Sequence, residues 1–316
     1  MIFVNIVSYR DKQLIDTVKS CISKAKFPHM LKIGVFWQYD EEEDLSALDG
    51  ISNLHIHKVY WKNVKGSVCW ARYMNQQLFF DNEKYYFQVD SHTLFNQDWD
   101  EMLIEMFESL PNSKSVISVG PPYYFDTNAE GGLTPHKTNL TTVDGFECED
   151  LPPQQKLDDL SRSGYFMYGF CKPTNLTSPF LGRHISAALL FSKGTWVSDV
   201  PYDPNLYFQG EEGSLALRSF TRGYDIYVPN KLIIWHLHYH FHERKRHWNT
   251  FEKEEVSQFE RMSYSRYQDI LQGKLKGVYG LGEKRTYKDW IEFSGVDLVK
   301  GEATEEAFKG VIPVLK

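Results

Sequence analysis

KYYFQVDSH, Lys84 to His92, is the stretch on which the fold turns. The run from Lys84 to Val89 is apolar enough for a buried strand. It stops at Asp90, and His92 follows two positions on. A carboxylate and an imidazole so placed, just past a strand end, can both turn toward one ion. A divalent cation there would neutralise a diphosphate leaving group, and this donor pair suits manganese, with magnesium as the second choice. Asp-x-His alone is a loose pattern, equally a strand-end cap beside a surface histidine. Its position after three earlier strands gives it weight.

Upstream, Phe3 to Ser8, Lys32 to Trp37 and Leu54 to Tyr60 read as strands. Gln13 to Lys26 and Cys69 to Phe80 have helical spacing between them. Downstream, a helix is predicted over Trp99 to Leu110 and a strand over Ser115 to Val119. This alternation predicts an α/β fold with a mostly parallel sheet covered on both faces. Ligands of such sheets sit beyond the carboxyl ends of the strands. That rule sends Ser8, Tyr9, Arg10 and Asp11 to the same cleft as Asp90 and His92. Pro121 to Ser178 is rich in Gly, Pro, Asn and Thr and reads as a long functional loop or lid. Beyond it, strands are predicted over His184 to Phe191, Tyr224 to Val228 and Leu232 to Trp235. Helices are predicted over Gly210 to Thr221 and Glu252 to Leu275.

Three further clusters carry chemistry. His236, His238, His240 and His242 alternate, so on a strand all four would share a face. His236, first after the apolar run, is the preferred third metal ligand and His238 the runner-up. Gly210-Glu211-Glu212 opens a helix, where paired acids can bind sugar hydroxyls or accept a proton, or simply answer the helix dipole. Arg72, on the first turns of its helix, could reach a diphosphate, though a lone helical arginine is more often a surface residue.

Composition narrows the classes. The chain has 316 residues and a net charge of −7, against a basic surplus in proteins that grip nucleic acid through phosphates. The basic run from His242 to His247 is a local exception. Four cysteines, Cys21, Cys69, Cys148 and Cys171, include no CxxC pair, so neither a zinc ribbon nor a thioredoxin motif is indicated. The N-terminal apolar run is too short for a signal peptide or a membrane span. A cytoplasmic protein with reduced thiols is expected.

Taken in order, several segments resemble the GlcNAc-transferase family, which includes cytoplasmic enzymes that add GlcNAc to hydroxyproline of a ubiquitin-ligase adaptor. They are Ile6 to Asp11, Gly66 to Arg72, Gln88 to His92 with Trp99-Asp100, Pro201-Tyr202-Asp203-Pro204 and Phe208 to Glu212 with Arg218. Thr221 to Asp225, Pro229 ahead of His236, Tyr279 to Arg285 and Gly295 to Asp297 follow. The resemblance implies a GT-A glycosyltransferase fold, Rossmann-like, and a UDP-sugar donor, UDP-GlcNAc. It further implies that Ser8 to Asp11, Arg72 and Asp90 meet the nucleotide or diphosphate, that Asp90, His92 and a late histidine hold the metal, and that Glu211 and Glu212 face sugar or acceptor. Transfer would retain configuration, to a protein or glycan acceptor. The expected division is a catalytic domain over 1–250 (nucleotide-binding half about 1–120, acceptor and sugar half about 121–250) and a helical extension over 251–316 packed on it. Competing readings are the same chemistry on a modified DNA base or a surface polymer, a non-catalytic sugar-binding protein, and a metallohydrolase built on the histidine cluster.

Overall fold

The structure is a computed structural model, described here for residues 1–125, 140–149, 177–237 and 245–315. Its elements run β1 (Ile2–Tyr9), α1 (Leu14–Ser23), β2 (Leu31–Tyr39), β3 (Leu54–Tyr60), α2 (Val68–Phe79), β4 (Tyr85–Asp90), β5 (Thr93–Phe95), α3 (Trp99–Glu108) and β6 (Ser115–Ser118). Then come β7 (Tyr124–Phe125), β8 (Leu140–Val143), β9 (Phe146–Glu149), β10 (Phe180–Leu181), β11 (Leu189–Lys193), α4 (Thr195–Asp199), α5 (Glu211–Thr221), β12 (Asp225–Val228) and β13 (Ile234–His236). The chain closes with α6 (Lys253–Leu271), α7 (Tyr287–Ser294), β14 (Val296–Asp297), β15 (Glu302–Ala303) and α8 (Glu305–Phe308).

An eight-stranded sheet in the order β10-β12-β6-β11-β4-β1-β2-β3 forms the centre. β1, β2, β3 and β4 are parallel to their neighbours in that group. β11 enters antiparallel between β4 and β6, and β10 pairs antiparallel with β12 at the edge. The period-two alternation of strand side chains divides the core. Ile2, Val4 and Ile6 of β1 pack with Leu14, Val18, Leu103 and Phe107 on one face. Phe3 and Tyr86 pack with Trp196, Leu217, Phe220 and Trp290 on the other. On β4 the same alternation sends Tyr85, Phe87 and Val89 to the first face. Tyr86, Gln88 and Asp90 therefore share the second, beneath α2.

Two expectations are corrected. Within 121–178 the described residues are not all irregular: β7, β9 and β8 form a three-stranded antiparallel sheet, whose strands of two to four residues are too short to show periodicity. The strand predicted over His184 to Phe191 begins only at Leu189. Ahead of it the backbone is satisfied by side chains instead of a ladder: Ser186 N–H donates to Ser118 Oγ at 2.8 Å and Ala187 N–H to Glu212 Oε1 at 2.8 Å. Burial without extension misled the pattern there, since Ile185 is fully buried.

The C-terminal residues fasten onto the body at named points. Arg285 pairs with Asp225 at 2.6 Å, Arg266 of α6 with Asp203 at 2.6 Å, and Arg218 of α5 donates to the carbonyls of Pro201 and Val278 at 2.7 and 2.8 Å. Among the described residues no helix is long and apolar enough to cross a membrane.

Candidate active site

The end of β4 delivers Asp90, and the tight turn after it delivers His92. That turn is held from α1, whose Thr17 hydroxyl donates to the Ser91 carbonyl at 2.7 Å and accepts from Thr93 N–H at 2.8 Å. β5 then pairs with β13 in a two-stranded ribbon that sets His236 opposite Thr93. A segment far away in sequence is thereby brought beside the strand end. His236 Nε2 lies 2.9 Å from Asp90 Oδ2 and His92 Nε2 lies 3.8 Å from the same oxygen. The two imidazoles are 4.5 Å apart, edge to face. Asp90, His92 and His236 each offer one donor atom, all within 4.8 Å of one another. His238, His240 and His242 lie outside the described residues.

The donor set fits a divalent cation. Ligand bonds of about 2.1–2.2 Å place neighbouring donors roughly 3–3.6 Å apart, and the two observed separations bracket that span. The orientation of His92 fits as well. Its Nδ1 faces Asp11 Oδ2 at 2.7 Å, and the same oxygen accepts from Ser91 Oγ at 2.7 Å. A carboxylate behind a histidine fixes the ring and its tautomer and leaves Nε2 as the basic atom.

Burial by itself would raise the Asp90 carboxyl, but the Arg72 guanidinium and His236 overcome it and hold it well below the usual carboxylate range. Asp90 is therefore an anion at any working pH. Arg72, 2% exposed on the buried side of α2, forks between Asp90 Oδ1 and Glu211 Oε1. Burial raises the carboxyls of Glu211 and Glu212. Glu211 is enclosed, whereas the Glu212 side chain is 43% exposed. Gly210 reaches φ 86° just ahead of this helix, a turn that glycine makes without steric cost.

These groups line one cavity of about 630 Å³. Ser8, Tyr9, Asp11, Arg72, Asp90, His92, Glu211, Glu212 and His236 all border it. Arg10 does not. It is turned to Asp40, donating from Nε at 2.7 Å, and its guanidinium lies 4.3 Å over the Trp61 ring. Several lining residues went unnoticed in the sequence. His184, whose imidazole burial pushes down to about 3, sits 3.9 Å from Glu212 Oε2. Tyr207, His247 and Trp248 form an aromatic side of the cavity. Nothing in a single sequence marks them as neighbours of the site, because each is brought in by tertiary packing.

An acid and two imidazoles thus gather where β4 of a mostly parallel sheet ends. The sequence matches the family model described as Glycosyltransferase (GlcNAc) over residues 1–51 and 47–300, and the chain belongs to that family. Among solved structures, the crystal structure of GalNAc-T7 with UDP, GalNAc and Mn2+ superposes with a TM-score of 0.60 at 12% identity, covering 92% of this chain. This chain spans only about half of that protein, 54%. S. aureus TarS 1-349 in complex with UDP-GlcNAc aligns over 85% of this chain and 66% of its own at 12% identity, with a TM-score of 0.49. No curated protein sequence matches the chain.

Proposed function

We propose that this glycosyltransferase moves GlcNAc from UDP-GlcNAc to a hydroxyl of a protein or glycan acceptor, with retention and with a divalent cation, manganese first. The observation that carries the reading is the meeting of Asp90, His92 and His236 on the floor of a cavity wide enough for a nucleotide-sugar. The GalNAc-T7 structure that superposes on this chain holds UDP, GalNAc and Mn2+.

Asp90, His92 and His236 would hold the cation, which supplies positive charge to the diphosphate. The chain's own residues do the rest. Asp11 keeps His92 aimed, and Arg72 fixes the second oxygen of Asp90 so that only Oδ2 is left toward the histidines. Ser8 and Tyr9, at the end of β1, border the same cavity on the nucleotide side. Glu212, the more open of the paired acids, lies where the transferred sugar or the acceptor would pass. In a retaining front-face transfer the acceptor oxygen bonds to the anomeric carbon as the bond from that carbon to the diphosphate breaks. The acceptor proton passes to the departing phosphate oxygen, and UDP leaves.

A panel of UDP-sugars tests this by release of UDP without acceptor. UDP-GlcNAc in manganese should be hydrolysed fastest, and a chelator should stop it. Equal silence from every donor, or release that ignores the chelator, would overturn the reading.

A further inference from the structure

A chain of buried polar side chains runs beneath the site, and the mechanism above does not use it. Asn5, Asn75, Tyr86 and Gln88 are 0% exposed, Tyr202 1%, Gln76 and Arg72 2%. Burying so many polar groups is costly unless every one is satisfied, so their hydrogen bonds can be followed atom by atom.

Backbone carbonyls fix the direction. A carbonyl oxygen only accepts, so the Gln88 group facing Ala187 O at 2.8 Å must be its amide nitrogen. Likewise the Asn75 nitrogen must face Gly34 O at 2.8 Å. With those ends locked, Asn75 Nδ2 donates to Asn5 Oδ1 at 2.6 Å, and Asn5 Nδ2 donates to the Tyr86 hydroxyl at 2.8 Å. Gln76 Nε2 donates to the same hydroxyl at 2.9 Å. Tyr86 thus accepts twice and gives its own proton to Gln88 Oε1 at 2.9 Å. Gln88 Nε2 donates to the Tyr202 hydroxyl at 2.6 Å, and Arg72 Nη1 approaches that oxygen at 3.3 Å. Tyr202 also accepts twice, and Arg72 Nη1 lies between its oxygen and Glu211 Oε1.

Every link therefore donates toward Tyr202, whose oxygen shares Arg72 Nη1 with Glu211. Arg72 in turn holds Asp90. We propose that Tyr202 is a positioning residue, the last hydroxyl of a one-way buried relay that holds Arg72 beside Glu211 and so fixes Asp90 for the donor. In this arrangement Glu211 is an anchor for Arg72 and takes no proton from an acceptor. The inference gives a task to Pro201-Tyr202-Asp203-Pro204, a segment with no part in the mechanism so far. It rests on the donor reading above.

Tyr202→Phe removes one hydroxyl and little volume. It should cut kcat for UDP release by roughly 10–100-fold, as expected when a buried charge-assisted bond that sets reacting geometry is lost, while KM for UDP-GlcNAc moves less than about threefold. Gln88→Met breaks the relay one link earlier. Combined with Tyr202→Phe it should cost little more than either change alone, because members of one network are not additive. Tyr287→Phe loses a hydroxyl bonded to Asp297 at 2.9 Å, outside the relay, and should lower stability with kcat unchanged. Wild-type kcat in Tyr202→Phe, or strictly additive losses in the double variant, would overturn the proposal. Heteronuclear NMR of the Arg72 guanidinium gives a readout that needs no turnover. Hindered rotation about Nε–Cζ should be seen in the wild type and lost in Tyr202→Phe. A wild type that shows the hindered guanidinium but releases no UDP would sink the donor reading and leave the relay standing; a freely rotating Arg72 in the wild type would sink the relay.

Discussion

At the scale of single residues, Asp90 stands between two demands. One oxygen is committed to Arg72 and the other faces His236. Asp90→Ala should bring UDP affinity in manganese down to the level measured with chelator, by titration calorimetry; affinity that stays at the wild-type value would remove Asp90 from the site. Asp11 makes a subtler case. It is not one of the three proposed metal ligands, yet its carboxylate holds the far nitrogen of His92. Asp11→Asn should weaken manganese binding by about 10–100-fold, the usual loss when the group behind a metal-bound histidine is changed. Mn2+ titration followed by electron paramagnetic resonance would measure it. Asp90 and His92 were legible because a strand end announces itself as an apolar run that stops. The work of Asp11 was not, since it depends on a turn carrying Ser91 and His92 back over α1. Arg10 shows the converse error. Adjacency in sequence placed it in the cleft, but its left-handed backbone, φ 52°, and the nearby Asp40 carry its side chain away.

Elements explain how these residues are held in register. β1 to β4 and helices α1, α2 and α3 were readable within a few residues: β1, β2 and β4 are buried and largely apolar, the edge strand β3 alternates apolar and polar residues, and the helices show one apolar face. His184 to Ala188 was misread for a physical reason: a buried wall segment whose backbone bonds go to Ser118 and Glu212 has the composition of a strand without its pairing. α5 is the element on which most converges. It begins with Glu211 and Glu212, and its Gly213 rests against Tyr267 of α6, where an added Cβ would lie 2.3 Å from the phenol oxygen. Gly213→Ala should therefore destabilise the protein by about 1–3 kcal/mol, the range for overpacking a tight contact. The melting temperature checks this, and an unchanged value would show that α6 can retreat freely.

For the molecule as a whole, a buried imidazole ties stability to pH. Burial pushes His247 down to about 4 from an ordinary 6.5, and its Nδ1 pairs with the Tyr207 hydroxyl at 2.8 Å. The unfolded chain takes up a proton on this histidine below about pH 6.5, whereas the native protein resists it until about pH 4. The unfolded state then binds more protons, so stability falls as pH drops through that window, by up to about 3 kcal/mol. Denaturant unfolding at pH 7 and pH 4.5 should show the fall, and His247→Gln should flatten it. The C-terminal part was legible as helix from its periodicity, but the particular contacts that fasten it were not. Arg266 on Asp203 and Arg218 on Val278 join residues that no local pattern connects. That grip has a practical corollary for anyone redesigning the enzyme. A shortened protein ending ahead of α6 would free the very tetrapeptide that carries Tyr202, so catalytic slackness, and not only poor yield, is what such trimming should produce.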